Sequence, residues 1–130
     1  MQKEKIEKME KKSIKSYQDL IAWQKSVGLV KEIYSLTKKL PLDEKFGLTS
    51  QINRSSISIP ANIAEGWGRE SKGNYVNFLK ISRGSLYELE SHLYIAKELE
   101  FISTEDYNNI SPAINEISKI LAGLIKSINN

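Results

Sequence analysis

Between Gln51 and Arg69 the chain reads QINRSSISIPANIAEGWGR, and its polar side chains recur at helical spacing. At about 100° per residue, Gln51, Arg54, Ser55, Ser58, Asn62, Glu65 and Arg69 fall within roughly 60° of one line along a helix. The other positions of that helix are largely apolar or small. All three arginines of the chain, Arg54, Arg69 and Arg83, lie in or just after this segment, and no lysine occurs between Lys45 and Lys72. A guanidinium is a planar fork suited to fixed, multiply bonded partners, whereas an ammonium suits a solvated face. Three uses fit the stripe: a face turned to water, a hydrogen-bonded network within the bundle or between subunits, or direct contact of Arg54 and Arg69 with a ligand or nucleic acid. The network is favoured, because Pro60 withdraws a backbone donor inside the helix and frees a carbonyl that Asn62 or Glu65 could help to satisfy.

Other groupings offer less. His92 stands alone, one turn after Glu88, and zinc would want further ligands on that face. Glu65, Glu88 and Glu90 could be drawn as a Mg²⁺ cluster for phosphodiester cleavage. Glu88 and Glu90, however, lie about 200° apart on one helix, and a two-metal site needs converging acids. Ser35-Leu36-Thr37-Lys38 matches a serine-x-x-lysine pattern but lacks its companion motifs. Gly66-Trp67-Gly68 reads as a helix stop and not as a phosphate loop, since Ser71 occupies the third glycine position of a dinucleotide fingerprint. Neither a catalytic residue nor a metal ligand nor a cofactor is expected. On the third helical pattern, Arg83, Tyr87, Glu90 and Tyr94 follow at steps of four, three and four. Arginine interleaved with tyrosine can stack bases, but it also suits a protein interface.

Four helical patterns must position these groups. The first spans about Asp19 to Lys39, with Asp19 expected as its cap, and it is apolar on two sides. Leu20, Trp23, Val27, Val30 and Tyr34 form one stripe; Ala22, Leu29, Ile33, Leu36 and Leu40 form another. A helix apolar on two faces must be covered on two faces, which points to an oligomer. The second helix is expected from Asp43 or Glu44 to about Gly66, kinked at Pro60. The third runs from Ser71 or Lys72 to Glu100 and aligns Tyr75, Phe78, Leu79, Ser82, Leu86, Leu89, Leu93 and Ala96. The fourth begins at Ser103 or Thr104, where Ser103 and Asp106 have capping-box spacing. Tyr107, Ile110, Ile114, Ile117, Leu121, Leu124 and Ile128 then make a bundle seam. Short connections predict an all-α, antiparallel up-down-up-down four-helix bundle over residues 17–130, preceded by a charged tail over residues 1–16.

The 130 residues suffice for one domain, with 40% hydrophobic and 27% charged residues and no cysteine. Disulfides and thiolate chemistry are therefore excluded. No apolar run approaches the roughly 20 residues that span a bilayer, and the charged MQKEKIEKMEKK lacks the apolar core of a signal peptide, so a cytoplasmic location is expected. The net charge of +3 resides in residues 1–16, which hold six lysines and three glutamates. The body is neutral, and attraction to phosphates must come from the tail or from local clustering.

Asp19-Leu20, Trp23-Gln24, Tyr34, Pro41, Phe46-Gly47-Leu48, Gln51-Ile52 with Arg54, Ser58 through Gly66, Gly68-Arg69 and Gly84-Ser85 with Glu88-Leu89-Glu90 resemble the four-helix bundle proteins encoded in intervening sequences of bacterial 23S ribosomal RNA genes. The resemblance covers about residues 17–125. It implies a ring-like homopentamer without known catalytic activity. That family is similar in architecture to the accessory variability protein of diversity-generating retroelements, a positively charged barrel that binds nucleic acid and a reverse transcriptase. The expected function is a non-catalytic oligomeric binding or scaffold module with RNA or a nucleic-acid enzyme as its candidate partner. The alternatives are a metal-dependent nuclease acting on ribosomal RNA and a purely structural oligomer.

Overall fold

A computed structural model describes residues 14–130 as four helices: α1 (Ile21–Thr37), α2 (Leu48–Trp67), α3 (Lys72–Glu98) and α4 (Thr104–Asn129). Most of the charged tail expected over residues 1–16 lies outside the described residues. The helices form a closed square in which α1 packs on α2, α2 on α3, α3 on α4, and α4 back on α1. Among the described residues no strand occurs, and no helix is long and apolar enough to cross a membrane.

Specific contacts set the directions. Ser58 meets Ser85 while the earlier Thr37 meets Asn53, and Gly66 lies against Phe78. Tyr87 bonds Ser118 and Tyr94 stacks on Tyr107. Lys25 pairs with Glu116 and Lys39 with Asp106. In α2–α3, α3–α4 and α4–α1, rising numbers on one helix meet falling numbers on the other, so neighbours run antiparallel around the square. The core is the one the spacing selects: Leu29, Ile33, Ile52, Ile59, Ile63, Leu79, Leu86, Leu89, Leu93, Ile114, Ile117 and Leu121 are essentially inaccessible. Each such side chain contributes about 1.5–3 kcal/mol by leaving water.

Helix starts differ from expectation in two places. Asp19 does not cap α1. It closes a capping box with Ser16 around the 3-10 turn Tyr17–Asp19, accepting from the Lys15 and Ser16 amides at 2.9 and 3.3 Å, and α1 starts after Leu20. Asp43 and Glu44 likewise belong to a 3-10 turn, Leu42–Glu44, and α2 begins only at Leu48. There the Glu44 carboxylate reaches forward to accept the Leu48 amide at 3.1 Å, doing from a separate turn what a cap residue would do. The helical assignment of α2 is continuous through Pro60. The third helix ends at Glu98, just before Glu100 turns the chain with a positive φ of 64°. At α4 the Ser103–Asp106 box forms in full, an aspartate replacing the longer acid usual at that position.

Candidate functional site

The polar stripe of α2 borders α3, and only its middle makes a network. Asn62 Nδ2 donates to the Ser58 carbonyl at 2.8 Å and to the Ser58 hydroxyl at 2.9 Å. With that acceptor position used, the Ser58 proton is available to the Ser85 hydroxyl of α3, 2.8 Å away. One helical turn deeper, the buried Ser82 hydroxyl donates to the Ile59 carbonyl at 2.8 Å. The arginines stand apart from this chain. Arg54 and Gln51 are exposed, and Arg69 pairs with Glu65 at 3.6 Å while its guanidinium lies 4.8 Å from the Phe78 ring centroid. The stripe thus divides into an internal hydroxyl-amide chain, a local Glu65–Arg69 pair, and the solvent-facing Gln51 and Arg54. Ser85 carries half of the inter-helix link. Its sequence signals are its place in the Gly84-Ser85 pair that carries the family resemblance and a polar side chain one helical turn after Ser82.

The second candidate group lies on the α3–α4 flank. Tyr87 and Tyr94 are exposed, and Arg83 and Glu90 are half-buried. The Tyr87 hydroxyl is 3.2 Å from Ser118 Oγ. Tyr94 packs edge-on to Tyr107 at 5.9 Å, and Lys97 Nζ sits 4.2 Å and 5.1 Å from the two ring centroids. Lys97 and Tyr107 complete this cluster, and a search for steps of three and four on α3 alone could not include Tyr107. Tyr87 and Tyr94 are therefore tied to α4, while among the described residues no side-chain hydrogen bond, ion pair or ring contact joins Arg83 or Glu90 to them.

A third surface is apolar. Trp23, Val27, Val30 and Tyr34 follow at alternating steps of four and three and lead to Thr37, whose hydroxyl bonds Asn53 Oδ1 at 3.0 Å. Beginning at Asn53, α2 carries Ile57, Pro60 and Ala64 at the same spacing. The two lines border one groove between α1 and α2. Of the two stripes expected on α1, that of Ala22, Leu29, Ile33 and Leu40 is buried, whereas Trp23, Val27 and Val30 are half-covered and Tyr34 and Ile57 are 40% and 46% exposed. Leu42 and Phe46, on the α1–α2 connection, are each 90% exposed.

The electrostatics are those of a surface. Asp106 accepts from Lys39 Nζ at 2.8 Å and from the Ser103 amide at 3.1 Å; the lysine bond, then the amide, holds its carboxyl below the usual 3.8. His92 is half-buried and its Nδ1 has no hydrogen-bond partner. Among the described residues no group of three or more histidine, aspartate or glutamate side chains could hold a metal ion, so Glu65, Glu88 and Glu90 are not brought into a cluster.

Two comparisons accord with this architecture. The family model described as 23S rRNA-intervening sequence protein matches residues 18–123. The chain is also similar to a solved structure from Bacteroides thetaiotaomicron, described as a protein with unknown function from the S23 ribosomal protein family. The two are 34% identical with a TM-score of 0.75, over 82% of this chain and 99% of that one. No curated protein matches the chain.

Proposed function

The chain belongs to the 23S rRNA-intervening sequence protein family, and on that premise we propose that it is a non-catalytic, cytoplasmic module that works as a homo-oligomer and presents a surface to RNA or to a nucleic-acid enzyme. One observation carries the oligomer: a single copy buries Leu20 but leaves Trp23, Val27, Val30 and Tyr34 of the same α1 stripe partly open to water. Tryptophan, valine and tyrosine in a continuous line between two helices make an interface core, since burial of such side chains is the main favourable term in association. The homopentamer implied by the family resemblance is the proposed stoichiometry. The apolar flank on α1–α2 supplies one face of that contact. Joined head to tail to an unlike face of the next copy, it forms a ring where the rotation between copies closes and an open filament where it does not.

Sedimentation velocity at micromolar concentration tests the reading. Wild-type chain should sediment as a closed oligomer, and Val27→Glu should reduce it to a monomer whose helical circular dichroism is kept. A strict wild-type monomer would overturn it. For the partner, binding of RNA should persist in chelator, because no step of the proposal uses a metal.

A further inference from the structure

The neutrality of the body conceals a separation of charge that the antiparallel fold creates. From Lys72 to Tyr87, α3 carries Lys72, Lys80 and Arg83 and no acidic residue; from Ile117 to Asn130, α4 carries Lys119 and Lys126 and again none. The Tyr87–Ser118 contact puts these two stretches side by side at one end of the bundle. At about 100° per residue Lys72, Lys80 and Arg83 lie within roughly 60° of Tyr87 on α3, and Lys119 and Lys126 lie roughly 80–100° from Ser118 on α4, so the five cations border the α3–α4 seam. Four of them are exposed and Arg83 is half-buried. The ion pairs formed among the described residues, Lys25–Glu116, Lys39–Asp106 and Arg69–Glu65, include none of the five. The opposite end of the same flank is acidic, with Glu88, Glu90, Glu98, Glu100 and Glu105.

We propose that the Lys72–Lys80–Arg83–Lys119–Lys126 face at the α3–α4 end of the bundle binds the phosphate backbone of RNA. A field of one sign, bordered by Glu70 at the start of α3 and by Glu116, which pairs with Lys25, on α4, attracts a polyanion along its length and gains from release of condensed counterions. Lys72 stands in the first turn of α3, where the helix dipole disfavours a cation; that turn holds no acidic residue, and Glu70 lies just before it. Tyr87, 54% exposed at the border of the field, offers a ring on which a base can stack. A second copy is the weaker occupant. Its acidic end mixes Glu98 and Glu100 with Lys97, and its Asp106 is already held by Lys39. The inference rests on the partner half of the proposed function and does not need the oligomer.

Fluorescence anisotropy of labelled polyuridylate RNA with the full chain, at low and at moderate salt, is the test. Wild type should bind at low salt and lose affinity steeply as salt rises. The exposed-site variant Lys80→Gln/Lys119→Gln/Lys126→Gln should weaken low-salt binding about tenfold or more and reduce the slope of log affinity against log salt by about 2, at roughly 0.7 per phosphate contact on a single strand. Lys31→Gln/Lys38→Gln/Lys45→Gln removes the same charge from α1 and the α1–α2 connection and should stay within about twofold of wild type. Equal losses in the two variants would reduce the effect to net charge and overturn the assignment. So would a loss seen only on deleting residues 1–13, an absence of wild-type binding, or salt-sensitive self-association in place of RNA binding. Sedimentation in the same buffers separates this failure from failure of the assembly reading.

Discussion

The α2–α3 seam and the α4–α1 seam enclose the same core but are specified by different means. Between α2 and α3 the backbones approach closely at Gly66, where an added Cβ would stand 2.8 Å from Phe78 Cβ and 3.2 Å from the Tyr75 carbonyl. Hydroxyls then cross the seam at Ser82–Ile59 and Ser58–Ser85. Between α4 and α1 the directed contacts are the surface ion pairs Lys25–Glu116 and Lys39–Asp106, each 2.8 Å long. Close approach and buried hydrogen bonds admit one register, whereas long charged side chains reach across several. The lesson is that α2 and α3 form the rigid half on which the polar stripe is mounted, and α1, with its half-covered stripe, is the adaptable half.

Four substitutions, with Gly28→Ala as a control, test that contrast in falling order of effect. Alanine at a helical glycine ordinarily adds about 1 kcal/mol of stability. Gly66→Ala should instead lose about 2 kcal/mol in chemical denaturation, because Phe78 and the Tyr75 carbonyl leave no room. Gly28→Ala, with nothing within 4 Å of the new carbon, should show the ordinary gain. Equal shifts at the two sites would remove the claim of a tight seam. Ser82→Ala deletes a buried hydroxyl bond and should cost about 1 kcal/mol in the same measurement.

Asp106 stands third because it caps α4 as well as pairing with Lys39. Its folded carboxyl titrates below the unfolded value, so its stabilisation is complete above that value and disappears as pH falls through the lower, folded one. Thermal melts should therefore show wild type losing part of its margin below about pH 4, where Asp106→Asn has less to lose. A parallel pH dependence in both proteins would assign that acid loss to other carboxylates. Lys25→Ala comes last. Its exposed pair with Glu116 should be worth at most about 0.5 kcal/mol and should fade in high salt.

Much of this was legible in the residues. Tyr107 through Ile128 announced the α4 seam, and Ile110, Ile114, Ile117, Leu121 and Ile128 are buried as their spacing requires. The Ser103–Asp106 box, too, stands where its spacing put it. The errors have one cause, because each depended on a partner distant in sequence or on a turn of unexpected type. Gly66-Trp67-Gly68 does end α2, with Gly68 as its C-cap, but nothing local showed that Phe78 and Tyr75 demand a residue without a side chain at Gly66. Glu44 seemed to begin α2, but its carboxylate serves Leu48 from a 3-10 turn. At the candidate site, Ser58 and Asn62 could be read as neighbours on one helix face. That Ser85 would complete their chain while Arg54 faced water could not.

The sequence by itself determined the helices, their apolar lines, the antiparallel bundle and the unusual concentration of polar groups on α2, because helical periodicity is a local property of 3.6 residues per turn. The tertiary structure decided which flank of α2 meets which neighbour, and so split its stripe into a network bonded to α3 and a solvent-exposed remainder. It also brought the acid-free start of α3 beside the acid-free end of α4. Summed along the chain those cations cancel against distant glutamates, but charge acts over roughly 10 Å in space, and only the fold sets that distance.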